Sequence, residues 1–273
     1  MGTALVTGAT SGIGLELVWQ LAAARHDLVL VARDHQRLAA LAEDLRQVAG
    51  VGAQVLPADL STAQGRQKVA QRLLRTEATG ARSARGPRTA QEVARRPVDL
   101  LVNNAGFGLG QAFVGGDVDR ERRALEVMVG AVMELSHAAL PGMVERGHGA
   151  VLNIASLASL TAMGTYAAHK AWVRTFTEGL ATELKGTGVS ATVVCPGLTR
   201  TEFHERAHME DVWPSLVWTD AQEVARQALD AVRRGQVICT PTLRYQAAAA
   251  LLRLSPRWLV RRVAGHASSA TRY

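Results

Sequence analysis

Thr3-Ala4-Leu5-Val6-Thr7-Gly8-Ala9-Thr10-Ser11-Gly12-Ile13-Gly14 begins as a short apolar run and breaks into three spaced glycines. Behind it, Leu15, Val18, Trp19, Leu21 and Ala22 recur at helical spacing as far as Ala24. Strand, glycine-rich turn and helix, in that order, form the setting in which glycines bind a dinucleotide. Gly8 permits the tight turn, Gly12 lets backbone N–H groups approach a pyrophosphate, and Gly14 allows close packing at the positive helix end. Thr10, Ser11 and Ile13 complete the turn that such a cofactor would touch. The spacing is G-x-x-x-G-x-G, not G-x-G-x-x-G. A bare glycine cluster would read as a loop; its place directly after a first strand favours the cofactor.

Working outward, apolar strand-like runs alternate with longer helical stretches. That alternation is the signature of an α/β fold with a parallel sheet and helices on both faces. Candidate strands are 3–7, 27–32, 53–57, 98–102, 149–155, 189–195 and 236–239, and candidate helices are 13–25, 34–49, 61–77, 118–146, 163–185 and 221–234. A small, basic stretch from Thr79 to Thr89 breaks the rhythm and marks an insertion at about 78–96. It reads as a solvated surface loop rather than a phosphate or partner site. Residues 1–242 are expected to form one domain, with 243–273 as a tail.

Composition sets bounds. With 273 residues and 48% hydrophobic content, one large domain can bury a full core. No apolar run approaches the ~20 residues of a membrane span, and no secretion signal precedes the first strand. Two cysteines, Cys195 and Cys239, indicate no disulfide framework, and a reducing cytoplasm is the expected location. The net charge of +7 raises the question of nucleic acid or an anionic surface. No nucleic-acid module is present and aromatics are only 4%, so no nucleic-acid partner is expected.

Tyr166-Ala167-Ala168-His169-Lys170 sets a phenol and an amine four residues apart, on one helix face. A free phenol, with a pKa of about 10, is a poor base near neutrality. A neighbouring ammonium favours the phenolate and brings the group toward a useful range. Lys+Arg number 31, but only Lys68, Lys170 and Lys185 are lysines, so one placed here stands out.

Thr7–Gly14, Asn103-Asn104-Ala105-Gly106, Ser156, Tyr166 with Lys170, and Pro196-Gly197 occur in the order seen in short-chain dehydrogenases/reductases. The chain resembles that family over roughly residues 3 to 240. The resemblance implies a Rossmann-type, doubly wound, mostly parallel seven-stranded sheet. It also implies an oxidoreductase acting between a carbonyl and an alcohol with NAD(P)(H). In that scheme Tyr166 donates a proton to the forming alkoxide and Ser156 hydrogen-bonds the same oxygen. Lys170 binds the nicotinamide ribose and holds the Tyr166 pKa down. Asn104, Ala105 and Gly106 line the cofactor cleft, while Pro196, Gly197 and Thr199 meet the nicotinamide side.

Cofactor type turns on the second strand. NAD-preferring relatives place an acidic residue at its end; here Ala32 resembles that position and Arg33 follows, a guanidinium suited to a 2′-phosphate. NADP(H) is therefore expected, with NAD(H) second. Asp34 falls one place late and is read as a helix cap. Asp59-Leu60 matches the adenine-contact position, although Asp59 before Ser61 reads equally as a capping element.

Two departures stand out. The family's usual relay asparagine in the fourth helix is matched here by Met128, and a thioether cannot replace an amide. Ser156 and Tyr166 are also only ten apart, closer than the family norm, with Ser159 as a fallback. These departures keep open a second reading: an NADP(H)-binding regulatory or scaffold protein with weak or no turnover.

A substrate lid is expected at about 198–218. Trp213, Leu216, Val217 and Trp218, with Phe107, Leu109 and Met163, would line a site for a bulky apolar carbonyl or alcohol, or else form ordinary core. His204 and His208 read as a solvated helix face, so no metal site is expected. The tail at 243–263 mixes leucines and Trp258 with arginines. Packing on the body is favoured over peripheral membrane contact. Relatives often pair helices four and five, so a homodimer or homotetramer is expected.

Overall fold

The computed structural model describes residues 2–75, 87–201 and 217–264. Its strands are β1 (Thr3–Thr7), β2 (Asp27–Ala32), β3 (Ala53–Pro57), β4 (Leu100–Asn103), β5 (Gly149–Ile154), β6 (Val189–Val194), β7 (Thr199–Arg200), β8 (Thr219–Asp220) and β9 (Ile238–Cys239). Seven of them form one sheet in the order β3-β2-β1-β4-β5-β6-β9, and every neighbouring pair is parallel. The expected doubly wound, Rossmann-type sheet is what the chain adopts. β7 and β8 make a separate two-stranded ribbon.

The helices are α1 (Gly12–Ala23), α2 (His35–Asp44), α3 (Ala63–Leu73), α4 (Ala90–Arg95), α5 (Val118–Leu125), α6 (Ala131–Arg146), α7 (Gly164–Glu183), α8 (Ala221–Arg233), α9 (Leu243–Leu254) and α10 (Arg257–Ala264). Successive residues of a strand point to opposite faces, so each strand feeds two cores. On one face Val6, Leu30 and Val102 pack with Leu17, Val18 and Leu21 of α1 and with Val224 and Ala228 of α8. On the other, Leu5, Val29 and Leu101 pack with Val69 of α3 and with Leu135 and Met143 of α6. Burial on both faces explains why these strands read as unbroken apolar runs.

Three expectations are revised. Helix α3 begins at Ala63, not 61, because the Thr62 hydroxyl accepts the Gly65 N–H at 3.1 Å and caps it. The end of the 78–96 insertion is no solvated loop: α4 forms there behind a Thr89/Glu92 capping box, and Arg88 pairs with buried Asp27. Its first part, through Gly86, lies outside the described residues. Finally, residues 118–146 run as one helix, through a π-helical turn at Glu126–Gly130, long and apolar enough to cross a membrane. Ala131, Leu135, Ala139 and Met143 bury its inner face, which accounts for its apolarity as that of a core helix.

The strand order reverses between β1 and β4, and the crevice outside the carboxyl ends of parallel strands is where such sheets bind ligands. Almost all of the candidate site residues follow the carboxyl end of a strand.

Candidate active site

The glycine turn joins β1 to α1. Gly8 and Gly12 have φ of 66° and 53°, which a side chain would resist. A methyl group on Gly14 would overlap the Gly8 carbonyl oxygen and Asn104 Nδ2. Ser11 is the N-cap of α1 in extended conformation, and its hydroxyl makes no capping bond. The helix therefore offers first-turn N–H groups that no side chain satisfies, with no acidic residue in that turn. This is the chemistry a pyrophosphate requires, so the turn fits a dinucleotide. Thr10 is held from α2, where Arg37 Nη2 donates to its carbonyl at 2.9 Å. Ile13 packs on the core.

Asn104 locks the next loop to this turn. Its side-chain amide donates to the Thr7 carbonyl at 3.0 Å and to the Gly8 carbonyl at 3.3 Å. The Thr7 hydroxyl accepts the N–H groups of Asn104 at 2.9 Å and Ala105 at 3.1 Å, and donates to Val102 O. Thr7 was not singled out from sequence, although its place between strand and glycine was a usable signal. Beneath, Asn103 Nδ2 donates to Asn153 Oδ1 at 2.9 Å, and Asn153 Nδ2 donates to Thr177 Oγ1 at 2.9 Å. All three asparagines of the chain thus brace the crevice from below.

Arg33 stands exposed just past the end of β2. Asp34 accepts the N–H groups of Gln36 and Arg37 at 2.9 and 3.0 Å, the capping role read from sequence. Asp59 accepts from the Ser61 N–H and hydroxyl, at 3.0 and 2.8 Å, a local turn just before the Thr62 cap of α3. Leu60 is buried, and Arg66 Nη1 donates to its carbonyl at 3.2 Å.

Ser156 follows β5, and a 3-10 turn at Leu157–Leu160 carries the chain toward α7. That tight turn spans the ten-residue gap: the Ser156 hydroxyl accepts the Ala158 N–H at 3.1 Å and lies close enough to Tyr166 to lower its pKa. The Ser159 hydroxyl is buried and close enough to the Cys195 thiol to lower its pKa. Lys170 is buried and its Nζ donates to the Ile154 carbonyl at 2.8 Å, 5.8 Å from the Tyr166 ring centroid.

The electrostatics differ from the sequence expectation in one respect. Burial pushes the Tyr166 phenol up to about 12, only partly offset by Ser156. Burial likewise pulls the Lys170 ammonium down to about 8. Desolvation therefore decides both groups, and the buried ammonium is hydrogen-bonded to a backbone carbonyl.

Met128 sits in the π-helical turn and is 1% exposed. A Cβ placed on Gly106 would stand 3.5 Å from Lys170 Nζ and 3.6 Å from Met128 Sδ, so the lysine and the thioether both border the space at Gly106. Phe107, Leu109 and Tyr166 complete this apolar cluster. Pro196 O accepts the Leu157 N–H at 2.8 Å. Buried Thr199 donates to Gly197 O at 3.1 Å and pairs with Thr219. Val217, Trp218 and Met163 are half-buried, whereas Phe203, His204, His208, Trp213 and Leu216 lie outside the described residues.

A dinucleotide turn facing a phenol, a hydroxyl and a buried amine across one crevice defines a nicotinamide-dependent oxidoreductase. Residues 2–79 and 83–211 match the family described as short chain dehydrogenase. The chain belongs to that family. It is similar to sulfoacetaldehyde reductase 2 of Chromohalobacter salexigens, 34% identical over 230 residues that cover 82% of this chain and 79% of that protein. A short-chain dehydrogenase from Sphingobium yanoikuyae in complex with NADPH superposes with a TM-score of 0.79 at 32% identity, covering 93% of this chain and 94% of that one. The bulky-bulky ketone specific alcohol dehydrogenase from Comamonas testosteroni does so at 0.75 and 29%, covering 94% and 96%.

Proposed function

We propose that the chain is an NADP(H)-preferring oxidoreductase that reduces a bulky apolar ketone or oxidises the corresponding secondary alcohol, with NAD(H) as second cofactor. The observation that carries this is the Tyr166 hydroxyl close enough to Ser156, at the carboxyl edge of β5, for the serine to lower its pKa, with Lys170 anchored on Ile154 O. Bound nicotinamide would supply or accept the hydride. Tyr166 serves as the acid, since a phenol held near 12 keeps its proton at neutral pH and can donate it to a forming alkoxide. Ser156 orients the carbonyl oxygen, Lys170 holds the ribose hydroxyls, and Asn104–Gly106 and Pro196–Gly197 flank the nicotinamide. Phe107 beside Tyr166 supports an apolar substrate, as does the ketone preference named for the Comamonas relative. Loss of NADPH absorbance with a panel of bulky ketones tests the reading. NADPH binding with no turnover across the panel would instead favour a regulatory nucleotide binder, the reading that Met128 at the usual relay position supports.

Arg33→Ala is expected to lower kcat/KM for NADPH by about 10- to 100-fold, the loss of one or two charge-assisted hydrogen bonds. NADH kinetics should barely change. Equal wild-type preference for NADH would refute the assignment. The pH profile carries a second expectation. Oxidation needs the phenolate, so its rate should climb with pH toward the high Tyr166 pKa. Reduction needs the phenol and should hold through neutrality; as Lys170 loses its charge above about 8, cofactor binding should weaken in both directions, so rates are compared at saturating cofactor. Steady-state rates in both directions across pH check this; oxidation fastest in acid would contradict it.

We further propose a cytoplasmic homodimer or homotetramer. Two buried, unpaired cysteines support the location, and exposed Met133 and Val144 on α6 support pairing of copies. The tail we place on the body rather than on a membrane, supported by buried Ala249 and Val260 and by Arg257 Nη1 donating to Leu160 O at 3.1 Å. Sedimentation with and without anionic vesicles distinguishes monomer, oligomer and vesicle-bound protein.

A further inference from the structure

Gly197 has no room for a side chain, because a methyl group there would lie within the ring of Tyr245 on α9. The Tyr245 hydroxyl accepts the Leu198 N–H at 3.0 Å and donates to the Val217 carbonyl oxygen. Its neighbour Arg244 donates through Nη2 to Trp218 O at 2.7 Å and to Thr219 Oγ1 at 2.9 Å. Helix α9 is aimed by Thr242, a residue at φ 70° that only surrounding contacts sustain. One such contact is the Thr242 N–H donating to Gln227 Oε1 at 3.2 Å. The turn beneath Tyr245 is in turn bonded to the catalytic edge, through Leu157 N–H and Pro196 O at 2.8 Å. A continuous line thus runs from Tyr245 through Gly197 and Pro196 to Leu157 and Ser156.

We propose that Tyr245 is a positioning residue: it fixes the Pro196–Leu198 turn from behind and so sets both the nicotinamide face of the crevice and the Ser156 turn. The ring fills the space that a Gly197 side chain would take, and the hydroxyl satisfies one backbone donor and one acceptor from segments far apart in sequence. Tail residues with no part in the sheet are therefore part of the active-site scaffold. This rests on reading that turn as the nicotinamide side.

The test compares Tyr245→Phe, Tyr245→Leu and Gly197→Ala in the full chain. Readouts are NADPH affinity, kcat, the isotope effect on kcat with deuteride-labelled NADPH, and the melting temperature. Tyr245→Leu is expected to lower kcat by up to about 100-fold, the effect of misplacing a reacting group by about 1 Å. NADPH affinity, set mainly at the glycine turn, should change little, and the isotope effect should rise as hydride transfer becomes limiting. Tyr245→Phe keeps the ring and should recover much of the loss. Gly197→Ala should behave like Tyr245→Leu and improve when combined with Tyr245→Ala, which clears the clash. Unchanged kcat in Tyr245→Leu overturns the proposal. So does a loss that Tyr245→Phe does not recover, tracked by equal losses of affinity and melting temperature. Should the wild type bind NADPH without turnover, the oxidoreductase reading fails separately. Tyr245 is then judged by the fluorescence of bound NADPH: a change in Tyr245→Leu at equal affinity supports the proposal, and an unchanged signal refutes it.

Discussion

Tyr166→Phe is expected to cut kcat by about 100- to 10,000-fold, the usual contribution of a positioned general acid, while NADPH still binds. The substitution removes one oxygen and keeps the ring, so the cluster with Leu109, Ala124 and Met128 stays packed. The Ser156 hydroxyl keeps its bond from the Ala158 N–H, and Lys170 keeps its bond to Ile154 O. The loss should therefore be confined to proton delivery. Fluorescence titration with NADPH should give nearly the wild-type affinity, and single-turnover kinetics should show the chemical step slowed. Near-wild-type kcat would remove Tyr166 from the mechanism. A matching loss of NADPH affinity would mean that the phenol serves binding instead.

Gly14→Ala should have the next largest effect, on both binding and stability. The added methyl group meets the Gly8 carbonyl oxygen and Asn104 Nδ2, neither of which is a flexible chain end. Gly8 is at φ 66°, and Asn104 is held by Thr7 from two directions. Overpacking of a tight contact costs about 1–3 kcal/mol. Relief requires α1 to move away from β1, which takes its first-turn N–H groups out of line with a pyrophosphate. NADPH affinity should fall by at least about 10-fold, equivalent to about 1.4 kcal/mol, and the melting temperature should fall by several degrees. Differential scanning fluorimetry with and without NADPH reads both. Wild-type melting and an unaltered NADPH shift would show that the turn does not bind the cofactor.

Much of the fold was legible because its signals are local. Apolar runs such as Leu28–Val31 are buried on both faces, and that double burial is what makes them continuous. Asp34 was readable as a cap because a capping carboxylate acts on amides two and three residues on. The short gap between Ser156 and Tyr166 was visible as a discrepancy, whereas the 3-10 turn that resolves it was not. Arg88 could not be matched to Asp27 from sequence, since 61 residues separate them. The same holds for Tyr245 and Leu198, 47 residues apart.

The amino-acid sequence by itself determined the strand–turn–helix start, the parallel α/β alternation and the candidate triad of Ser156, Tyr166 and Lys170. The first two and the Tyr166–Lys170 pairing depend on periodicity, on glycine's backbone freedom or on short spacing, all of which act between near neighbours in the chain. Ser156 joined them through the family resemblance. Only the tertiary structure decided how those groups are poised. It turned Lys170 toward Ile154 O, let burial raise the Tyr166 pKa, packed Met128 with Tyr166 and brought Tyr245 onto Gly197. Desolvation and packing depend on what surrounds an atom in three dimensions, and that is supplied by segments the sequence keeps far apart.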